Sequence, residues 1–162
     1  MIASYSGILR TLEKEGKAKL KSREKSEPNE NGERCKLRVR YFETDQMRRA
    51  HTANYFVWFE ACRAEFCRAR GIDYLEMEAQ GLFLPISEAT CRYLSPIGYD
   101  DEIEIYGYVI EMTRASFRIG YVITKGEIKV AEGETRSVLV NLAGKPVAFS
   151  EEMRRKFMTP RS

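Results

Sequence analysis

The sequence predicts an α+β domain in which an antiparallel sheet of about five strands wraps around one long central helix. Residues 55–70 carry a broad apolar side at helical spacing, which includes Trp58, Phe59 and Phe66. About four stretches with alternating apolar residues follow this helix, separated by short turns in hairpin succession. Because hairpins build an antiparallel sheet and a strongly apolar helix must be covered, we expect the helix to pack on that sheet.

The elements are predicted in order along the chain. Alternation indicates a first strand at 37–41, and Gly71 is the expected end of the long helix. A second short helix is expected over 72–80, and a last helix begins after Ser150, since Glu151 and Glu152 suit a first turn. The remaining strands are expected at 84–94, 102–110, 117–123 and 128–141.

Residues 1–35 differ from the rest and are predicted to form an N-terminal extension and linker, which leaves 36–162 as the domain. Tyr5, Ile8, Leu9 and Leu12 recur at helical spacing and indicate a short amphipathic helix over 6–20. Residues 21–34 are charged and polar, with a breaker cluster at 28–32. We expect this extension to lie outside the core; the alternative is a helix that docks on a partner or a membrane surface.

Composition narrows the class of protein. The chain has 162 residues with 43% hydrophobic content and a net charge of +3, which is ordinary for a soluble domain and too weak to indicate nucleic-acid binding. The sequence contains no apolar run that could span a bilayer and no signal-peptide core, so we expect a cytoplasmic protein. A single histidine, His51, and cysteines without C-x-x-C spacing predict no metal site and reduced thiols.

The stretch 41–55 carries the candidate chemistry. Asp45 lies in the connection between a strand and the start of the long helix, and Thr52 is a predicted N-cap whose hydroxyl accepts from the first-turn amides. Those amides and the helix dipole favour developing negative charge. A carboxylate beside fixed N–H donors suits attack on a carbonyl. Taken alone, Asp45 is more typical of a turn or cap before a helix than of a catalytic group.

The same stretch resembles the signature of a known family. The matching segments are YFETDQM at 41–47, HTANY at 51–55 and WFEA at 58–61, with weaker pieces in the right order at 84–86, 92–96, 99–102 and 144–146. Together they resemble the 4-hydroxybenzoyl-CoA thioesterase family over roughly residues 36–150. That family has the hotdog fold and includes the acyl-CoA thioesterases found alongside the Tol–Pal envelope system.

The resemblance implies roles for particular residues. Asp45 falls on the catalytic aspartate, and Thr52 falls where a main-chain N–H polarises the thioester carbonyl. Asn54 and Tyr55 match the pair that opens the helix and helps to hold the loop, and His51 lines the site. The resemblance also implies a homodimer, often paired into a homotetramer, in which the two sheets join and each active site spans the interface.

Three arginines are candidate contacts to negative charge. Arg114 lies near the place where relatives put basic contacts to the CoA phosphates. Arg48 and Arg49 stand where relatives usually have a glycine and an apolar residue, and loss of that glycine is expected to reshape the loop. The two arginines either bind an anionic part of the substrate, a CoA phosphate or an acidic acyl group, or are two solvated side chains.

The predicted function is that of a cytoplasmic acyl-CoA thioesterase, with Asp45 as general base or nucleophile and with no metal or organic cofactor. One alternative is a dehydratase that acts through His51 and Glu65, although Glu65 is better suited to an exposed ion pair with Arg68. Another is a hotdog protein that binds acyl-CoA without turnover.

The second face of the predicted sheet indicates self-association. Tyr106 and Tyr108 lie opposite Ile103 and Ile105 on one strand, and Val122 occupies the second face of the next strand. These side chains are apolar for a surface wholly in water, so we expect at least a dimer. The alternative is a monomer whose tyrosines lie flat on the sheet.

Overall fold

The centre of the fold is a long helix, α1 (Asn54–Ala69), which packs across one face of an antiparallel five-stranded sheet. The computed structural model describes residues 31–159. Its strands are β1 (Glu33–Arg38), β2 (Leu82–Phe83), β3 (Ile86–Tyr93), β4 (Glu102–Met112), β5 (Ser116–Lys125), β6 (Ile128–Val138) and β7 (Val140–Asn141). The five long strands follow the order β1-β4-β5-β6-β3, and β2 pairs with β7 in a separate ribbon. Two shorter helices complete the fold: α2 (Tyr74–Ala79) and α3 (Glu151–Met158).

The predicted fold class and element order are confirmed. Gly71 follows α1 with a φ of 62°, the left-handed conformation expected just past a helix end. The first strand begins at Glu33, ahead of the predicted boundary between 35 and 36, because it pairs with β4 from that residue onward. The strand expected at 128–141 is divided into β6 and β7. The short helix predicted over 6–20 lies outside the described residues.

The core fills the space between α1 and the inner face of the sheet. Phe59 is fully buried and stacks on Tyr121 of β5, with ring centroids 4.3 Å apart. Burial of a side chain of this size is worth about 1.5–3 kcal/mol. Two glycines beneath the helix permit this close packing. A Cβ at Gly133 would come within 2.6 Å of the Phe59 ring, and one at Gly107 within 2.9 Å of Cys62 Sγ.

The sheet has two distinguishable ends. At the first end, which we call the loop end, lie the residues Arg38, Tyr93, Glu102, Lys125 and Ile128. At the second, the far end, lie Ile86, Met112, Ser116 and Val138. Helix α1 begins at the loop end, where the Tyr93 hydroxyl donates to the Thr52 carbonyl over 3.1 Å. Towards the far end, Phe66 of α1 stacks on Phe157 with ring centroids 6.5 Å apart, and Arg70 pairs with Glu33, which lies level with Gly107 in the middle of β4.

The far end is closed by α3. Ser150 caps this helix by accepting from the Met153 N–H over 3.2 Å, as the sequence predicts. Phe157 is buried and packs against Phe117 and Phe149, with ring centroids at 4.5 Å and 5.7 Å. Within residues 31–159, no helix combines the length and apolar character needed to cross a membrane.

Candidate active site

The candidate site is a narrow loop between the first strand and α1. Its two sides pair like a small hairpin, with an antiparallel bridge between Thr44 and Ala50. The Asp45 N–H donates to the Arg49 carbonyl over 2.8 Å, and the Arg48 N–H returns to the Asp45 carbonyl over 2.9 Å. The Ala50 N–H donates to the Ile97 carbonyl over 2.8 Å. The loop is therefore fixed both to itself and to the loop end of the sheet.

The Asp45 carboxylate is oriented by this backbone. Its Oδ1 accepts from the Met47 N–H over 2.8 Å and from the Arg49 N–H over 3.2 Å. These are the contacts of the turn motif that the sequence left open as an alternative, and they use only one oxygen. The second oxygen, Oδ2, has no donor within residues 31–159. A carboxylate held by one oxygen can use the other to accept a proton or to attack a carbonyl.

Arg48, the first of the two arginines that replace the usual loop residues, adopts a conformation that favours glycine. Arg48 has a φ of 59°, in the left-handed region that costs an L-residue about 1–2 kcal/mol. Arg48 therefore carries the backbone strain that a glycine at this position would avoid. Both Arg48 and Arg49 are exposed, and neither side chain has an ion-pair partner in the part of the chain that the structure describes.

The start of α1 differs from the prediction. The N-cap is Ala53, and the Thr52 hydroxyl makes no capping hydrogen bond. The His51 imidazole replaces it, since Nδ1 accepts from the Ala53 N–H over 3.2 Å. The His51 N–H is also occupied, donating to the Glu43 carbonyl over 2.8 Å. Between these two amides, the Thr52 N–H has no acceptor among residues 31–159, and it stands at the positive end of the helix dipole.

Asn54 holds the loop, and Tyr55 packs the start of α1 against the sheet. The Asn54 side-chain amide donates to the Glu43 carbonyl over 2.7 Å. Tyr55 is buried between Trp58 and Tyr93, with ring centroids at 4.9 Å and 4.8 Å. Burial raises the pKa of Tyr55 to about 12, so its hydroxyl stays protonated at neutral pH.

The structure adds a residue that the sequence reasoning missed. The carboxylate of Glu43 is almost fully buried, with 2% of its side chain exposed. It accepts from the Arg40 N–H and from Arg40 Nη2, both over 2.7 Å, and from Trp58 Nε1 over 3.0 Å. Burial alone would raise the pKa of Glu43, but these donors outweigh it and hold the pKa below its ordinary value. A tryptophan on the apolar side of a helix needs an acceptor for its N–H, and that need was the available signal.

Two of the predicted residues are not brought together with Asp45 in one chain. Arg114 lies in the turn between β4 and β5 at the far end, where its carbonyl accepts from the Phe149 N–H over 2.9 Å. Since β4 has 11 residues, its ends are on the order of 30 Å apart. Glu65 forms an ion pair with Arg68, as one of the two alternatives expected, and nearly the whole length of α1 separates it from His51.

The described residues contain no grouping of three or more His, Cys, Asp or Glu side chains that could hold a metal ion. The cysteines Cys35, Cys62, Cys67 and Cys91 are all free thiols. Burial raises the pKa of Cys62 to about 12, which leaves this thiol protonated and inert.

Known proteins resemble this chain both in sequence and in fold. A family model described as "Thioesterase-like superfamily" matches residues 39–157. A protein of Aquifex aeolicus named "Putative esterase" is 36% identical over 116 residues, which cover 72% of this chain and 90% of the relative. A Bacillus subtilis protein named "Putative acyl-CoA thioesterase YneP" is 28% identical over 115 residues, covering 70% and 83%. The crystal structure of a DHNA-CoA thioesterase from Staphylococcus aureus is similar with a TM-score of 0.70 and 25% identity, covering 72% and 80% of the two chains.

Proposed function

This chain belongs to the Thioesterase-like superfamily and has the hotdog fold, and on that premise we propose that it hydrolyses an acyl-CoA thioester to a free carboxylate and CoA. The observation that carries the proposal is the pairing of an oriented carboxylate with a free amide. Asp45 has one unengaged oxygen, and the loop that it opens leads directly into the unengaged Thr52 N–H at the start of α1. A thioester needs these two groups: one to activate the attacking oxygen and one to stabilise the oxyanion.

The proposed reaction proceeds by addition and elimination. As general base, Asp45 takes a proton from water while the water oxygen bonds to the thioester carbonyl carbon. The carbonyl oxygen becomes an oxyanion that the Thr52 N–H and the helix dipole stabilise. The C–S bond then breaks, and the CoA thiolate takes the proton from Asp45. As nucleophile, Asp45 would instead form a mixed anhydride that water hydrolyses in a second step.

The substitution Asp45→Asn tests this function, because it preserves shape and removes the charge. On a panel of acyl-CoA substrates assayed by release of free thiol, we expect kcat to fall by about 10³-fold or more with the fold intact. Asp100→Asn is the matched control, since Asp100 is an exposed aspartate at the same end of the sheet with a φ of 68° that asparagine also tolerates. Wild-type turnover by the Asp45→Asn variant would overturn the mechanism.

The rival functions give different results on the same panel. A dehydratase would lose most activity with His51→Ala and would hydrate an enoyl-CoA without releasing thiol. A binding protein would bind acyl-CoA and release no thiol with any substrate. The separation of His51 from Glu65 along α1 favours the thioesterase within one chain.

We also propose that Arg48 and Arg49 contact a negative charge on the acyl group. Both guanidiniums are exposed within the loop that Asp45 opens, and the whole pantetheine arm separates a thioester from the phosphates of CoA. With Arg48→Gln and Arg49→Gln combined, we expect KM to rise about tenfold for succinyl-CoA and to stay unchanged for butyryl-CoA. An equal rise for both substrates would place the contact at a phosphate, and no rise for either would show two solvated side chains.

The proposed assembly is a homodimer, or a tetramer built from it, in which Asp45 of one copy and Arg114 of the other share a site. Several exposed apolar side chains at the loop end support a covering partner: Tyr41, Phe42, Met47 and Tyr99 are 78%, 73%, 70% and 60% exposed. The edge strand β3 supports the arrangement. Antiparallel pairing of two β3 strands would set the loop end of one sheet beside the far end of the other.

Mixing two inactive variants tests this shared site. Asp45→Asn and Arg114→Ala each damage every site in a pure dimer, but a mixed dimer contains one site with both residues intact. We expect mixing after reversible dissociation to restore activity and light scattering to give at least a dimeric mass. A monomeric mass with full activity would rule out a shared site. The narrower likeness to the Tol–Pal-associated type, which the motifs at 41–61 support, and a cytoplasmic location are further parts of this proposal.

A further inference from the structure

We propose that Glu43 is a positioning residue, which sets the distance between the Asp45 carboxylate and the Thr52 N–H by clamping the loop to the start of α1. This role rests on the proposed thioesterase function. Glu43 lies two residues before Asp45, at the end of a single turn of 3-10 helix (Tyr41–Glu43). It touches neither the proposed oxyanion nor the attacking water, so any effect on the reaction passes through other residues.

The side chain of Glu43 fastens the loop to the body of α1. One carboxylate oxygen, Oε1, accepts from Trp58 Nε1 over 3.0 Å, and Trp58 is buried one turn into the helix. The same oxygen accepts from Arg40 Nη2, and Oε2 accepts from the Arg40 N–H, both over 2.7 Å. A charged acceptor with these donors forms stronger hydrogen bonds than a neutral one, which makes this a stiff anchor.

The main chain of Glu43 fastens the other side of the loop. Its carbonyl accepts from the His51 N–H over 2.8 Å and from Asn54 Nδ2 over 2.7 Å. His51 immediately precedes Thr52, so the residue before the free Thr52 N–H is hydrogen-bonded to Glu43. One residue therefore holds both the segment that presents the carboxylate and the segment that presents the N–H donor.

The choice of a buried carboxylate at this position has a physical reason. An isolated buried charge is costly, and this one is retained because Arg40 and Trp58 supply donors from two different segments. A neutral side chain could accept from Trp58 but could not satisfy Arg40 equally well. Small displacements matter here, since misplacing reacting groups by about 1 Å can cost 10²-fold in rate.

The main test is the substitution Glu43→Gln, with kcat and KM measured separately on the best acyl-CoA substrate. We expect kcat to fall about 10- to 100-fold while KM stays within about twofold, because substrate contacts remain and only the alignment changes. Glu60→Gln, an exposed carboxylate on α1, is the matched control and should leave both constants unchanged. Circular dichroism and thermal melts establish that each variant is folded.

Trp58 gives an independent readout, since it is the chain's one tryptophan and bonds directly to Glu43. We expect Glu43→Gln to shift its fluorescence emission, and we expect Trp58→Phe alone to lower kcat. The double variant should be no worse than the poorer single variant, because both break the same clamp. Should Glu43→Gln fail to fold, Trp58→Phe still decides the question: unchanged kcat in a folded Trp58→Phe enzyme would overturn the role of the clamp.

The outcomes separate this inference from the proposed function. An active wild type that loses activity with Asp45→Asn but keeps wild-type kcat with Glu43→Gln would overturn the positioning role alone. A wild type that releases no thiol from any acyl-CoA would overturn the function, and the positioning role with it. If the Glu43→Gln variant is partly unfolded, and its kcat falls by the same factor as its KM rises, Glu43 has only a structural role.

Discussion

The buried ion pair between Arg70 and Glu33 provides a stability prediction that can be worked through from the structure. Arg70 Nη1 lies 3.1 Å from Glu33 Oε1, with 2% and 10% of the two side chains exposed. Burial lowers the pKa of Arg70, and Glu33 opposes that lowering. Substituting Glu33→Gln would therefore leave a charged guanidinium in the interior without its counter-charge.

The expected cost of Glu33→Gln is about 3 kcal/mol, the lower end of the range for breaking a buried pair. The lower end applies because Arg70 keeps other contacts: its guanidinium lies 3.6 Å from the centre of the Phe66 ring and also donates to the carbonyls of Phe66 and Asn31. For a domain of this size, such a loss corresponds to a fall in Tm of roughly 6–12 °C. The matched control is Glu104→Gln, which breaks partly exposed pairs with Arg34 and Lys36 and should cost less than about 1 kcal/mol.

Urea unfolding followed by circular dichroism measures both variants. The double substitution Glu33→Leu with Arg70→Met should recover most of the loss, because it removes both charges together. The same ion pair locates the N-terminal boundary of the stable domain. A chain that begins at Asn31 should be as stable as the full chain, whereas one that begins at Arg34 should lose about as much stability as Glu33→Gln does. A cost for Glu33→Gln as small as that of Glu104→Gln would refute the reasoning.

Three further predictions concern the loop and the helix start. The pKa of Glu43 is lowered from its ordinary value of 4.5, so its contribution to stability is present above about pH 4.5 and is lost as pH falls below it; acid unfolding of Glu43→Gln should show a shallower pH dependence there. Arg48→Gly should raise stability by about 1 kcal/mol in thermal melts, since it relieves a left-handed φ, and a loss of stability would show that the side chain supports the fold. Thr52→Pro deletes the free N–H and should lower kcat by about 10²–10³-fold, whereas Thr52→Ala keeps that N–H and should stay within about twofold of wild type; equal effects would exclude the amide as the donor.

Much of the fold could be predicted from the sequence because the patterns that specify each helix and strand are local. The apolar side of α1 and the alternation of β4 and β5 each specify their own element. The start of β1 at Glu33 was missed because its pairing with β4 and the contact of Glu33 with Arg70 join residues far apart in sequence. A charged, polar stretch of chain carries no local sign that one of its carboxylates will be buried.

The candidate site could be predicted only in part, because some of its contacts are not visible in local sequence patterns. The position of Asp45 before a helix follows from the order of elements, and its motif is specific. The N-cap role predicted for Thr52 was wrong, because the His51 side chain supplies the acceptor instead. N-cap propensity favours threonine at such a position, but it does not predict that the imidazole of the preceding residue will accept from the Ala53 N–H. Arg114 was grouped with Asp45 by resemblance, and within one chain the sheet sets them at opposite ends.

Gly107 and Gly133 set how closely α1 approaches the sheet. Gly133 accommodates the ring of Phe59, and a methyl group there would meet both that ring and the Thr90 carbonyl, at 2.6 Å and 2.4 Å. The distance between α1 and the sheet therefore depends on the lack of a side chain at Gly133. Thr52 lies two residues before the first residue of α1, so we expect a helix lifted at Phe59 to move the Thr52 N–H away from Asp45. A substitution at Gly133 would then lower activity more strongly than it lowers the melting temperature.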